Sequence, residues 1–135
     1  MASQGAAAVA EHRLVIFSTQ PQDLTILTAV AAAAGHAGFV AAATEVDAIA
    51  AALAAETLSS GERLVVIDTR LPDAAADRVL TCLRGASVPG RMIALVPYSA
   101  QADEESVRAA GYDGFLATPL SPSRVYHLLT AATQA

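Results

Sequence analysis

The stretch Arg63-Leu64-Val65-Val66-Ile67-Asp68-Thr69-Arg70-Leu71-Pro72-Asp73 decides how this chain is read. Four apolar residues follow one another without a polar break, and three of them are β-branched. A continuous run of that kind predicts a strand buried on both faces rather than one with a wet side. Asp68 closes the run. A carboxylate at the C-terminal end of a buried strand stands where open α/β sheets place their sites.

Outward from this strand, two periodicities alternate. Leu14 to Phe17, Phe39 to Ala42, Met92 to Val96 and Phe115 to Ala117 read as further strands, the second being the least marked. Pro21 opens a helix, whose stripe Leu24, Leu27, Val30 and Ala34 ends at Gly35. Thr44 is placed to cap a second helix, with Asp47 three residues on and a stripe of Val46, Ile49, Ala50 and Leu53, and Ser59-Ser60-Gly61 breaks it. Ala74 to Leu83 reads as a third helix with Val79, Leu80 and Leu83 inward, before a turn at Pro89-Gly90. Gln101 to Ala110 follows, with Asp103, Glu104 and Glu105 in its first turn, and stops at Gly111. Ser121 and Pro122 begin the last helix, through Val125, Leu128 and Leu129. Five strands alternating with five helices predict a parallel sheet with helices on both faces. The flavodoxin-like strand order 2-1-3-4-5 is a common solution. Residues 1–11 read as a flexible tail and 12–135 as one domain.

Composition narrows the function. The net charge is −5, which disfavours nucleic acid and anionic lipid as partners. No apolar run approaches the ~18 residues that span a bilayer. No basic residue precedes the apolar start, so a signal peptide is not expected, and a cytoplasmic protein is the simplest reading. Cys82 is the single cysteine and reads as a structural thiol. His12, His36 and His127 lack ligand spacing, and no Gly-rich phosphate loop occurs. All eight cationic residues are arginines, so the chain has no lysine.

The order and spacing of several landmarks resemble those of response-regulator receiver domains, from Arg13 to about Thr130. Asp68, Leu71 and Pro72 match Asp-x-x-Met-Pro. Gly111-Tyr112-Asp113-Gly114-Phe115-Leu116 resembles Gly-Ala-Asp-Asp-Tyr-Leu, and Thr118-Pro119 stands where the family has Lys-Pro. The resemblance implies that Asp68 is the phosphoacceptor position. It also implies a degenerate pocket: Ser18 and Thr19 replace the acidic pair that helps hold Mg²⁺, Val96 replaces a hydroxyl, and Thr118 replaces the lysine. Mg²⁺ prefers several hard oxygen ligands in octahedral geometry, so binding at Asp68 alone is expected to be weak or absent. Phosphoryl transfer rests on positioning and charge neutralisation, and both are depleted. Arg70 is a candidate charge or phosphate partner, against a plain solvent-facing arginine, and the plain reading of Asp68 is a strand-end carboxylate that caps nearby backbone N–H groups or pairs with Arg70. Asp23 could reach the pocket rim as a metal ligand, against the plainer reading that an acid suits the first turn of a helix. Phe115 holds the position of the switch aromatic and, lacking a phenol hydroxyl, is expected to stay buried.

These features give a pseudo-receiver, not an enzyme, acting by protein contacts in two-component (phosphorelay) signalling. A histidine kinase, another domain of the same signalling protein (a hybrid kinase, for instance) or a second copy is the expected partner. The expected contact face is the fourth helix, fifth strand and fifth helix, with Tyr98, Arg108, Tyr112, Arg124 and Tyr126. Two alternatives stand beside this. One is an atypical receiver phosphorylated on Asp68 with Arg70 as counterion. The other is a module that binds a nucleotide second messenger.

Overall fold

The computed structural model describes residues 14–35, 38–41, 46–55, 63–86, 90–97 and 104–134. Ten regular elements alternate: β1 (Leu14–Phe17), α1 (Pro21–Ala33), β2 (Gly38–Ala41), α2 (Val46–Ala55), β3 (Arg63–Asp68), α3 (Ala75–Gly85), β4 (Gly90–Pro97), α4 (Glu104–Ala110), β5 (Gly114–Thr118) and α5 (Pro122–Gln134). The five strands form one sheet in the order β2-β1-β3-β4-β5, every neighbouring pair parallel. The expected strand order and alternation therefore hold. The tail at 1–11, the cap at Thr44, the break at 59–61 and the start of the fourth helix at 101–103 lie outside the described residues.

Strand periodicity divides the core in two. Val15, Phe17, Val65, Ile67, Met92, Ala94 and Val96 face α2, α3 and α4, where they meet Ile49, Val79, Leu83 and Val107. Leu14, Ile16, Leu64, Val66, Ile93, Leu95 and Leu116 face α1 and α5, against Leu27, Ala31, Val125 and Leu129. Residues on both faces of the central strands are removed from water, which is why those runs are apolar without alternation. Burial of each Val, Leu or Ile contributes about 1.5–3 kcal/mol before conformational entropy is set against it.

Two details of the helices differ from the sequence reading. The buried stripe of α1 is Asp23, Leu27 and Ala31, while Leu24, Val30 and Ala34 only flank it. The third helix is preceded by a 3₁₀ turn, Pro72–Ala74, in which Asp73 and Ala74 are left-handed at φ +59° and +57°. Left-handed backbone is costly for a residue with a Cβ, about 1–2 kcal/mol. Arg78 braces this turn by donating to the Asp73 carbonyl oxygen and to the Asp47 carboxylate.

At the opposite end of the sheet, Gly111 leaves α4 at φ +112°, a conformation open to glycine. Its carbonyl oxygen accepts two hydrogen bonds from Arg84, and Arg84 also pairs with Asp113 at 3.0 Å. Asp113 exchanges bonds with Met92, accepting from the Met92 N–H and donating to its carbonyl oxygen. This knot fixes where β5 begins and so sets its register on β4.

Candidate functional site

The site is built by the pleat. Leu14 and Ile16 face α1, so the next residue of that parity, Ser18, emerges on the same side at the strand's end. Leu64 and Val66 likewise put Asp68 on the α1 side. Because Phe17 is in register with Ile67, Ser18 and Asp68 come out side by side. The first turn of α1 lies above them and brings Asp23 over the edge. Ser18 and Asp68 are each 1% exposed and Asp23 is 6% exposed.

Two buried carboxylates this close require a cation, and Arg70 supplies it. The chain turns after Asp68, and the Arg70 guanidinium folds back over the strand end. Arg70 Nε donates to Asp68 Oδ1 at 2.9 Å and Nη2 donates to Oδ2 at 3.0 Å. The same Nη2 donates to Asp23 Oδ2 at 2.5 Å. The Arg70 backbone N–H also donates to Asp68 Oδ1 at 2.8 Å, and Ser18 Oγ donates to Oδ2 at 2.8 Å. Asp68 thus accepts four hydrogen bonds, the whole of an ionised carboxylate's acceptor capacity. Ser18 Oγ in turn accepts from the Gln20 N–H at 3.3 Å. The Arg70 side chain is 28% exposed and forms the lid of the cluster.

The electrostatics follow from this arrangement. The Arg70 pKa is raised above its ordinary value, chiefly by its hydrogen bond to Asp68 and then by Asp23, against an opposing contribution from burial. One cation between two carboxylates leaves a net charge of −1. That net charge favours retention of the guanidinium. The residues are a poor fit for Mg²⁺. The Asp68 oxygens are engaged, the Asp23 oxygen nearest to them is bound to Arg70, and no cluster of three His, Cys, Asp or Glu able to hold a metal occurs among the described residues.

The sequence-derived site residues are only partly gathered here. Ser18 joins Asp68, and Arg70 is its ion-pair partner rather than a free surface arginine. Thr19 is exposed and is not among the partners of Asp68. Thr118 is half-buried at the end of β5 on the same side of the sheet. Val96 belongs to the opposite layer, with α2, α3 and α4. Phe115 packs against that layer as a partly buried residue.

The expected contact face also changes. Tyr112 is a core residue, 6% exposed, because it follows the turn at Gly111 and is drawn between α3 and α4. Arg108, Arg124 and Tyr126 are exposed, and Tyr98 lies outside the described residues. Tyr126 lines a groove with Ile26, Val30 and Pro122, on the α1 side of α5. Asp23 is the residue that sequence reasoning undervalued. Its signal was slight: an acid in the first turn of the helix that crosses the end of β1.

No protein-family model matches the chain, and no curated protein matches it. Solved structures do. The receiver domain of a Francisella response regulator aligns with a TM-score of 0.70 at 14% identity, over 91% of this chain and 97% of that one. The receiver domain of a Pseudomonas aeruginosa sensor histidine kinase, with a magnesium ion coordinated in its active site cleft, gives 0.64 at 20%, over 92% and 98%. A response regulator receiver protein from Burkholderia phymatum gives 0.66 at 18%, over 90% and 94%. The chain therefore has the receiver-domain fold.

Proposed function

We propose that this chain is a receiver-fold interaction module of two-component signalling, in which the phosphoacceptor position is closed by an internal ion pair. The observation that carries the reading is the bidentate contact of Arg70 with Asp68, shared with Asp23. A phosphoacceptor must present a carboxylate oxygen to the donor, with cations positioned to neutralise the incoming group. Here the lone pairs that would attack are occupied, and the one cation is part of the closure. The P. aeruginosa domain holds magnesium in its cleft. This chain holds a guanidinium against its own strand-end carboxylate, Asp68.

Signalling in such a module passes through protein contacts. Arg108, Arg124 and Tyr126 are exposed on α4 and α5 and offer the side-chain types that recur at interface hot spots. A histidine kinase or an adjoining domain of the same signalling protein is the partner that this fold suits.

The test is incubation with acetyl phosphate and Mg²⁺, read by intact mass. The expected result is no phosphoryl adduct on the native protein. An adduct that disappears in Asp68→Asn overturns the closed-site reading. It would support the atypical receiver, with Arg70 as counterion to the phosphoryl group.

A further inference from the structure

A cavity of about 340 Å³ opens between α3 and α4 over the end of β4. Its apolar wall includes Ala94, Val96, Val107 and Ala110, and its polar groups include Asp77 and Tyr112. That volume is at the small end of ligand-binding pockets, about 300–1,000 Å³. Two features set it apart from a packing gap.

The first is the Tyr112 hydroxyl. It is buried and makes no hydrogen bond. A buried polar group without a partner is uncommon in folded proteins and costs about 1–3 kcal/mol. The second is the charge. Asp77 lies close enough for its carboxylate to help raise the Tyr112 pKa to about 12, after the larger effect of burial. No basic residue lines the cavity among the described residues. An anionic occupant, a nucleotide or phosphate included, meets a like charge there, whereas a cation meets an unneutralised carboxylate at an apolar wall.

We propose that this cavity binds a small organic cation, a primary ammonium on a compact apolar body. The ammonium N–H groups would donate to the Asp77 carboxylate and to Tyr112 Oη, and the body would lie on Val96, Val107 and Ala110. The occupant supplies the partner that the phenol lacks and a counterion that Asp77 lacks among the described residues. The lining includes Thr69, next to Asp68, but none of Asp23, Asp68 and Arg70.

Three probes with one apolar body test it: cyclohexylmethylamine, cyclohexylmethanol and cyclohexanecarboxylate. Each is titrated into the ¹⁵N-labelled full chain and followed by amide shifts. The amine is expected to saturate, with shifts concentrated at residues 94–96 and 107–112, and to bind most tightly of the three. Asp77→Asn and Tyr112→Phe are each expected to weaken it about tenfold, the scale of one charge-assisted hydrogen bond, while Asp77→Glu retains it. Absence of saturation by the amine at about 10 mM, equal affinity for the three probes, or unchanged affinity in either variant overturns the proposal.

Discussion

Arg70 and Asp68 are two residues apart in sequence and form a closed unit: two side-chain bonds at 2.9 and 3.0 Å and a backbone bond at 2.8 Å join them. The spacing makes this possible. A residue two positions after a strand-end aspartate has its N–H aimed at that carboxylate, as in an Asx-turn, and an arginine there is long enough to return with its fork. Lysine, with a single charged point, does not reproduce that geometry. Asp23 then adds a second carboxylate that the guanidinium must serve, so the unit ties the β3 turn to α1.

Arg70→Ala is expected to lower unfolding stability by about 2–3 kcal/mol in urea denaturation, because it leaves two buried carboxylates without their cation. The lower part of the usual range for a broken buried pair applies, since the Arg70 side chain keeps 28% exposure. The same change leaves Asp23 and Asp68 as a pair of carboxylates near one edge. A Mg²⁺ titration should then produce saturable amide shifts around Asp68 that the native chain does not show. Unchanged stability would mean that the ion pair only decorates the site.

Ser18→Ala removes the hydroxyl that donates to Asp68 Oδ2 at 2.8 Å. A hydrogen bond to a buried charged group contributes about 1.5–3 kcal/mol, and this is the expected loss in denaturant midpoint experiments. Thr19→Ala, at an exposed neighbour with no bond to Asp68, should change stability by less than about 0.5 kcal/mol. Equal effects of the two would contradict the placement of Ser18 in the cluster.

Tyr112 makes stability depend on pH in the alkaline range. Its folded pKa is raised from 10.0 to about 12, so between those values the unfolded chain loses the phenol proton while the native chain keeps it. The native state then binds more protons, and stability falls as pH rises through this window, being fully retained below pH 10. Tyr112→Phe should abolish that loss. It should also raise stability at neutral pH by about 1 kcal/mol, since it removes a buried hydroxyl with no partner. Thermal unfolding at pH 7 and across pH 9–11 reads both effects.

Two backbone positions give opposite expectations. Gly111 is at φ +112°, and an added Cβ would lie 3.3 Å from Leu80 Cδ2. Gly111→Ala is therefore expected to destabilise by more than about 1 kcal/mol, from strain and crowding together. Ala74, left-handed at φ +57°, already bears a Cβ in that region. Ala74→Gly should stabilise by up to about 1 kcal/mol, and matched thermal scans of the two variants check the contrast in sign.

Much of the fold was legible because its signals are local. Apolar runs without alternation announce strands buried on both sides, as at Leu64 to Ile67, and Gly35, Gly111 and Pro122 mark helix ends by backbone geometry alone. The alternation of strand and helix, with the handedness of crossovers, restricts the sheet to few orders, and 2-1-3-4-5 is the one found. Asp68 was legible as the residue of interest from its place at a strand end.

What the sequence by itself determined, then, was the architecture, the absence of lysine, and the neutral hydroxyl residues Ser18 and Thr19 after the first strand. Only the tertiary structure decided that Arg70 closes over Asp68, that Asp23 completes the cluster, and that Tyr112 is core rather than contact face. The reason is physical. Ion pairing and burial depend on which side chains converge after the strands align, as Ser18 and Asp68 do through the Phe17–Ile67 register. Asp23 and Arg70 are separated by 47 positions in the chain, and no local pattern records that a helix start and a strand end will meet.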